Sequence, residues 1–395
     1  MKTIRIGLLG KIIIAIASGI AIGFISPMWL ARTFASFNEI FSQFLGFIIP
    51  LIILGFVAPA IADIGVKAGK MLVATALLAY AATITAGLIS YFTGASLFPS
   101  MIQADAYVAE MVDNTSRSLS PYFTIEMPPL MGVMTALVTA FVLGLGASRL
   151  EEGNTMTRWL QSLRSIIEMV IRGAIIPLLP IYIFGIFLNM TSEGQVGTIL
   201  ATFAKIIVVI FVLHVFILVF QYCIAACFKK KGERNPLRLI KLMLPAYFTA
   251  LGTQSSAATI PVTLRQSMKM GVSEDVAGFV IPLCATIHMS GSTLKIVACA
   301  LALMITQNIP YDFSMFFGFI AMLGITIIAA PGVPGGAIMA SLGLLSGILG
   351  FSEADNALMI ALYIAMDSFG TACNVTGDGA LSIIIDRFFG KQTCS

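Results

Sequence analysis

The chain is poor in charge. Of its 395 residues, only 11% are charged, whereas 58% are hydrophobic. A soluble domain carries about 25% charged residues, so this chain has too few charges to cover a water-facing surface of its size. The scarcity of charge excludes an ordinary soluble enzyme and leaves a polytopic membrane protein, whose surface faces a lipid bilayer.

Residues that bind metals or act as nucleophiles are also scarce. The chain has two histidines and six cysteines, and it contains no CxxC pair, no HExxH motif and no Gly-x-Ser-x-Gly motif. The net charge of +4 is diffuse, and the one dense basic run, from Lys229 to Lys241, directly follows an apolar stretch. The positive-inside rule explains such a run. We therefore predict no catalytic residue, no cofactor and no nucleic-acid partner.

Long apolar runs are plentiful. A membrane span needs about 20 apolar residues, and ten runs reach that length: 11–31, 40–62, 71–98, 128–148, 160–190, 197–228, 236–263, 276–306, 313–349 and 356–385. Basic residues mark alternate connections, among them Lys11, Lys67, Arg149 and Lys229. This asymmetry predicts a multi-pass protein of the plasma (inner) membrane with a cytoplasmic N-terminus.

Two of the runs are interrupted by small, polar and proline residues. The breaks lie at 252–261 within the run 236–263, and at 330–336 within the run 313–349. A full crossing by the first run would put the basic Arg265 outside, whereas a re-entrant hairpin keeps it inside. We therefore predict an all-α polytopic membrane protein with eight transmembrane spans, two opposed re-entrant hairpins and a cytoplasmic C-terminus. Paired breaks of this kind indicate a transporter site; the alternative is two proline-kinked packing helices.

A polar face lies inside the last apolar run. Its members are spaced at i, i+3, i+4, i+7 and i+11, which places them on one side of a helix: Asp367, Gly370, Thr371, Asn374 and Asp378. Two carboxylates, a hydroxyl and an amide suit an ammonium group and a cation. Because charge inside a membrane is costly, function is the default interpretation; the alternative is a polar stripe that packs against other helices.

A second polar motif runs from Thr286 to Lys295 and includes His288 and Ser290. Histidine titrates near neutrality, so His288 or Lys295 could carry a coupled proton. The alternatives are a neutral, hydrogen-bonded histidine and a lysine that snorkels to the membrane interface.

Four motifs in order resemble one known family, the dicarboxylate/amino acid:cation symporters, which include glutamate and neutral amino-acid transporters. The motifs are Ser-Ser-Ala-Ala-Thr-Ile-Pro-Val-Thr at 255–263, Thr-Ile-His-Met-Ser-Gly-Ser at 286–292, Pro-Gly-Val-Pro-Gly-Gly at 331–336 and Asn-Val-Thr-Gly-Asp at 374–378. The resemblance implies a homotrimer with inverted repeats and an elevator mechanism. It also implies a scaffold at 1–70 and 128–190, and a mobile transport domain at 71–98 and 197–395 with the second hairpin as its gate.

The resemblance also implies roles for single residues. Asp367 would hold the ammonium group of an amino acid, and Asn374 with hairpin backbone groups would hold its carboxylate. The implied substrate site comprises Asp367, Gly370, Thr371, Asn374, Ser255, Ser256, Ala257, Val333 and Gly335. The implied cation-coupling set comprises Asp378, Asn374, His288, Ser290, Thr286, Lys295, Tyr80 and Thr83, with sodium at Asn374 and Asp378.

A first departure from the family pattern narrows the predicted class of substrate. Relatives that carry acidic substrates have an arginine where this chain has Gly370, and an acidic side chain without that partner would be costly to bury. We therefore predict a secondary active symporter that imports a small neutral amino acid, such as serine, alanine or threonine, together with a cation. The alternatives are a glutamate/aspartate or C4-dicarboxylate symporter, with a cation supplied from elsewhere in the protein, and an amino-acid-gated or leak anion channel.

The second departure concerns the coupling ion. The family motif Asn-Met-Asp-Gly-Thr is His-Met-Ser-Gly-Ser here, from His288 to Ser292. A site that loses its carboxylate binds sodium poorly. We expect reduced or altered sodium dependence, with Na⁺ and/or H⁺ as the coupling ion, and we hypothesise that protonated His288, or Lys295, replaces a sodium ion next to Asp378.

Overall fold

The computed structural model describes residues 8–66, 70–102, 120–150, 155–192, 194, 196–229, 232–328 and 335–390. These residues form helices joined by short connections, and no strand occurs among them. The predicted all-helical class is confirmed. Within the described part, five helices are long and apolar enough to cross a membrane, or six if the bent pair at 354–389 counts as one span. The count of eight spans stays a prediction.

The described part of the first half contains six helices. They are α1 (Leu8–Gly23), α2 (Met28–Val66), α3 (Lys70–Met101), α4 (Val133–Arg149), α5 (Thr155–Val170) and α6 (Ile176–Ser192), with one π-helical turn at Ile171–Ile175. Helix α2 packs against α4, α5 and α6, and α1 packs against α6. The α1–α6 approach is close: a Cβ atom on Gly19 would lie 2.7 Å from the carbonyl oxygen of Phe184, as in many helix pairs within membranes.

The described part of the second half contains nine helices. They are α7 (Val196–Phe228), α8 (Pro236–Thr253), α9 (Ser256–Lys269), α10 (Glu274–Ile287), α11 (Ser290–Thr306), α12 (Phe313–Ile328), α13 (Gly336–Leu349), α14 (Glu353–Ala365) and α15 (Asp367–Phe389). Helix α15 contacts each helix from α7 to α11, and α3 packs against α11 and α12. Eighteen of the 23 residues of α15 are buried, so other helices enclose most of this helix.

Helices α8 and α9 form the first predicted hairpin. They pack against each other and join at Gln254, whose φ of 54° is left-handed, and at Ser255, whose side chain caps α9. At the other end, the Lys229 ammonium after α7 donates to the Met270 carbonyl after α9. Because α8 begins a few residues after Lys229, the chain enters and leaves this helix pair at the same end of α7.

Helices α12 and α13 form the second predicted hairpin. The chain also enters and leaves this helix pair at one end. The Gln307 side chain, just after α11, donates to Asp355 Oδ1 in the first turn of α14 over 2.6 Å. Helix α12 begins at Phe313 and α13 ends at Leu349, so both ends of the pair lie within a few residues of that contact. The tip of the pair includes 329–334, which lie outside the described residues.

Two further breaks occur where the sequence predicts continuous spans. The run 276–306 divides into α10 and α11 at His288 and Met289, and the run 356–385 divides into α14 and α15 at Met366, with a bend of 63°. Neither break contains proline or glycine. Both breaks lie at the polar motifs. There, side chains of neighbouring helices form hydrogen bonds with backbone groups that lack a helical partner.

Candidate substrate and ion site

The tips of both hairpins meet at the start of α15. The Gly335 N–H donates to Asp367 Oδ2 over 2.8 Å, and the Gln254 amide donates to Ser368 Oγ over 2.8 Å. Asp367 is 4% exposed although it lies at a helix break. The structure thus brings the predicted residues Gly335 and Asp367 together, with the Ser255 cap adjacent to Gln254.

The second oxygen of Asp367 is held by a cation. Lys295 Nζ lies 3.1 Å from Asp367 Oδ1, 3.4 Å from the Tyr363 carbonyl oxygen and 3.4 Å from the centroid of the Tyr363 ring. The Lys295 side chain is fully buried, which excludes the snorkelling alternative. The structure places Lys295 beside Asp367 rather than beside Asp378.

Gly370 and Lys295 occupy complementary space. A Cβ atom on Gly370 would lie 2.8 Å from Lys295 Nζ and 2.9 Å from its Cε. Real Cβ atoms do not approach other atoms so closely, so a larger residue at 370 would displace the lysine. The cation beside position 370 of α15 therefore comes from α11.

Asn374 connects α15 to the start of α11. Its carbonyl oxygen accepts from the backbone N–H groups of Gly291 at 2.8 Å and Ser292 at 3.3 Å, and its amide donates to Ser292 Oγ at 3.0 Å. The Tyr363 hydroxyl donates to the same Ser292 oxygen. Asn374 thus satisfies N–H groups that the first turn of a helix leaves without intrahelical partners.

His288 and Asp378 form the second buried pair. His288 Nδ1 lies 2.8 Å from Asp378 Oδ1, and the two side chains are 0% and 1% exposed. Gln221 on α7 lies 3.4 Å from His288 Nε2 and 3.2 Å from Ser290 Oγ. A Cβ atom on Gly377 would lie 2.6 Å from both His288 Cε1 and Gln221 Oε1, so a glycine is required beside this cluster.

These contacts define the register of α11 and α15. His288, Gly291 and Lys295 meet Asp378, Asn374 and Asp367 in that order, so the sequence numbers rise along one segment and fall along the other. The two segments are therefore antiparallel, and each carboxylate has a different partner on the other segment.

The other predicted residues divide into two groups. Thr83 joins the site, because its hydroxyl accepts from the Met289 N–H at the α10–α11 break. Tyr80 instead donates to the Ala321 carbonyl on α12, and the exposed Thr286 donates to Leu283 within its own helix. The remaining substrate-site positions do not contact Asp367 through any hydrogen bond in the described part: Thr371, Ser255, Ser256 and Ala257. Val333 lies outside the described residues.

Sequence reasoning missed three residues of the site. Gln221 had a signal, since it is a polar residue inside the apolar run 197–228. Gln254 lies inside the predicted hairpin break, but the sequence does not indicate that its side chain contacts α15. Tyr363 had no signal, because an aromatic residue in an apolar helix is usually packing.

The ion-binding groups predicted by resemblance are hydrogen-bonded to the protein. Asp378 Oδ1 pairs with His288, and Asn374 Oδ1 accepts two backbone N–H groups. Among the residues that the structure describes, no group of three or more His, Cys, Asp or Glu side chains could hold a metal ion. His288 thus lies directly beside Asp378, a residue that the resemblance assigns to a sodium ion.

Buried charge pairs at helix breaks, inside a bundle of apolar helices, are the arrangement of a membrane transporter rather than an enzyme. The sequence profile of the sodium:dicarboxylate symporter family matches residues 8–388. The chain therefore belongs to that family, which confirms the predicted resemblance.

Similar proteins span the whole length of the chain. The serine/threonine transporter SstT of Acinetobacter baumannii (strain AYE) is 26% identical in an alignment of 398 positions that covers 97% of this chain and 97% of that protein. The serine/threonine transporter SstT of Acinetobacter baylyi (strain ATCC 33305 / BD413 / ADP1) is 25% identical in an alignment of 401 positions that covers 97% of this chain and 98% of that protein. The likeness therefore includes the first half, where the motif resemblance is weakest.

Proposed function

We propose that the protein is a secondary active symporter that imports a small neutral amino acid, with serine and threonine as the first candidates, together with a cation. One observation carries the choice of substrate. The cation beside Gly370 is Lys295, and it is already paired with Asp367. An acidic amino acid would therefore bring an uncompensated negative charge to a pair of zero net charge, whereas a neutral amino acid, which is a zwitterion, brings none. The names of the two Acinetobacter relatives support the same substrates.

Ligand binding and competition test this proposal. Purified protein would be melted with serine, threonine, alanine, aspartate or succinate, because a ligand of the native state raises the melting temperature. We expect stabilisation by serine and threonine, and competition by the same compounds for serine uptake into proteoliposomes. Stabilisation by aspartate or succinate alone would support the acidic-substrate alternative, and currents that do not saturate with amino acid would support a channel.

For the coupling ion, we infer that the His288–Asp378 pair replaces one sodium site, so that transport depends less on sodium and can use protons. The short contact and the loss of the family's carboxylate at Ser290 support this inference. Gln221, which contacts His288, also lines a cavity of about 160 Å³ between α3, α7 and α15.

Uptake in sodium-free proteoliposomes with an imposed pH gradient tests the coupling ion. We expect serine uptake there for the wild-type protein. The double variant His288→Asn, Ser290→Asp should lose this uptake and require sodium, whereas Ser290→Thr serves as the matched control because it adds no carboxylate. Robust sodium-driven uptake with none under the pH gradient would contradict the inference.

The architecture belongs to the same proposal. It comprises eight spans, inverted repeats and two re-entrant hairpins that enter from opposite sides, in a homotrimer of elevator-type protomers in the inner membrane with cytoplasmic termini. The scaffold would be 1–70 and 128–190, and the transport domain 71–98 and 197–395. The Lys229–Met270 and Gln307–Asp355 contacts support the hairpins, and the packing of α3 on α11 supports the domain division. A native mass three times that of the 42.1-kDa chain would test the trimer.

A further inference from the structure

Both carboxylate oxygens of Asp367 have partners within the protein. One carboxylate oxygen accepts the Lys295 ammonium at 3.1 Å, and the other accepts the N–H of Gly335 at the tip of the second hairpin at 2.8 Å. The side chains of Lys295 and Asp367 are 0% and 5% exposed. The same carboxylate is the group that the proposed function assigns to the ammonium of an amino acid. The protein thus supplies an ammonium group of its own at that position.

The surroundings are built for this lysine. Gly370 leaves the space that the ammonium and Cε fill, since a Cβ there would lie within 2.9 Å of both. Tyr363 provides a carbonyl oxygen at the C-terminal end of α14 and an aromatic face, both of which attract a cation. Tyr363 therefore offers the ammonium a second set of partners when Asp367 is engaged by something else.

We propose that Lys295 is a tethered cation that occupies Asp367 in the empty carrier and is displaced towards Tyr363 by the ammonium group of the substrate. This inference rests on the proposed function and extends it to the return of the empty carrier. An unpaired buried carboxylate is strongly unfavourable within a membrane. With Lys295 in place, Asp367 is neutralised without a substrate, and the empty carrier can return across the membrane.

Lys295 is therefore a positioning residue for the empty state, and it is not needed to neutralise Asp367 in the loaded state. The variant Lys295→Met keeps the length of the side chain and removes its charge. The loaded carrier would still have the ammonium of the substrate beside Asp367. The empty carrier would close on an unpaired carboxylate, which should slow its return.

Comparison of net uptake with exchange separates the two states. Net uptake of radiolabelled serine into empty proteoliposomes requires return of the empty carrier, whereas exchange with internal serine does not. We expect Lys295→Met to lower the ratio of net uptake to exchange by at least about tenfold, the effect of a modest rise in one barrier. An unchanged ratio, or an equal fall of both rates, would overturn the proposal.

A second variant keeps the charge and covers the case in which Lys295→Met does not fold. Gly370→Ala would push the ammonium away from Asp367 because of the 2.8 Å approach, and we expect it to lower the same ratio. The matched control is Gly278→Ala on α10, where nothing lies within 4 Å of the added atom, and its ratio should equal that of the wild type. A wild-type protein that does not exchange serine would contradict the proposed function instead.

Discussion

Two pairs of titratable side chains are buried inside the helical bundle. His288 meets Asp378 at 2.8 Å and Lys295 meets Asp367 at 3.1 Å, with every side chain at most 5% exposed. A buried ion pair gains little over apolar packing, but removal of one partner leaves an uncompensated charge. Each member of these pairs therefore depends on its partner.

The Lys295–Asp367 pair predicts a pattern of stabilities. Lys295→Met or Asp367→Asn alone should lower the free energy of unfolding by about 3–5 kcal/mol, because each leaves a buried charge unpaired. The double variant should regain most of that loss. Unfolding in mild detergent measures this cycle. As a control, Glu168→Gln breaks the partly exposed Arg164–Glu168 pair, and it should cost at most about 1 kcal/mol. Additive losses in the double variant would contradict the pairing.

The packing around the His288–Asp378 pair predicts that one methyl group added at Gly377 changes the ion dependence of transport. Gly377→Ala would place a Cβ atom 2.6 Å from His288 Cε1, so the ring must move away from Asp378. We expect a change in the pH dependence and sodium dependence of serine uptake. Gly318→Ala on α12 adds the same atom in open space and should leave both unchanged. Identical ion dependence in the two variants would argue against a coupling role for the pair.

Much of the site at this scale could be predicted from residue type alone. His288, Lys295, Asp367 and Asp378 are recognisable because charged and titratable residues are rare in apolar runs. Their partners could not be predicted. Seven residues separate the two cations and eleven separate the two carboxylates, distances of roughly 10 and 16 Å along a helix, and only the antiparallel register of α11 and α15 decides which of them meet.

At the scale of elements, the breaks between helices position the site residues more than the helices themselves do. The sequence predicts the two hairpin breaks, because glycine and proline interrupt their apolar runs. It misses the breaks at His288–Met289 and at Met366, which contain neither residue. There, partners from other elements bind backbone groups beside the breaks: Asn374 accepts from the start of α11, and Lys295 donates to the Tyr363 carbonyl just before Met366. Tertiary contacts of this kind leave no local pattern in the sequence.

The tip of the second hairpin gives a prediction of its own. Gly335 has a φ of 77°, a conformation that costs other residues about 1–2 kcal/mol, and its N–H reaches Asp367. Gly335→Ala should strain the tip and weaken serine binding, measured as a smaller ligand-induced rise in melting temperature. Gly350→Ala is a matched control, because Gly350 has a φ of 73° at the end of α13 and no atom within 4 Å of the added Cβ. Equal serine binding by both variants would contradict this prediction.

At the scale of the whole molecule, the two hairpins have their tips together and their ends apart. Both tips contact the start of α15, at Asp367 and Ser368. The ends of the first hairpin lie beside Lys229, and those of the second lie beside Gln307. Since α11 and α15 are antiparallel and both continue past the site, this arrangement is what two hairpins from opposite membrane faces would produce.

Labelling of single cysteines tests that topology. In a background without the six native cysteines, four exposed positions flank the hairpins: Arg234, Glu274, Asp312 and Ala354. A membrane-impermeant maleimide applied to intact cells should label cysteines at Asp312 and Ala354, and it should reach those at Arg234 and Glu274 only after permeabilisation. If the two members of a pair are labelled from opposite sides, that helix pair crosses the membrane. The site at Asp367 would then lack its entry from one face, and alternating access through the two tips would fail with it.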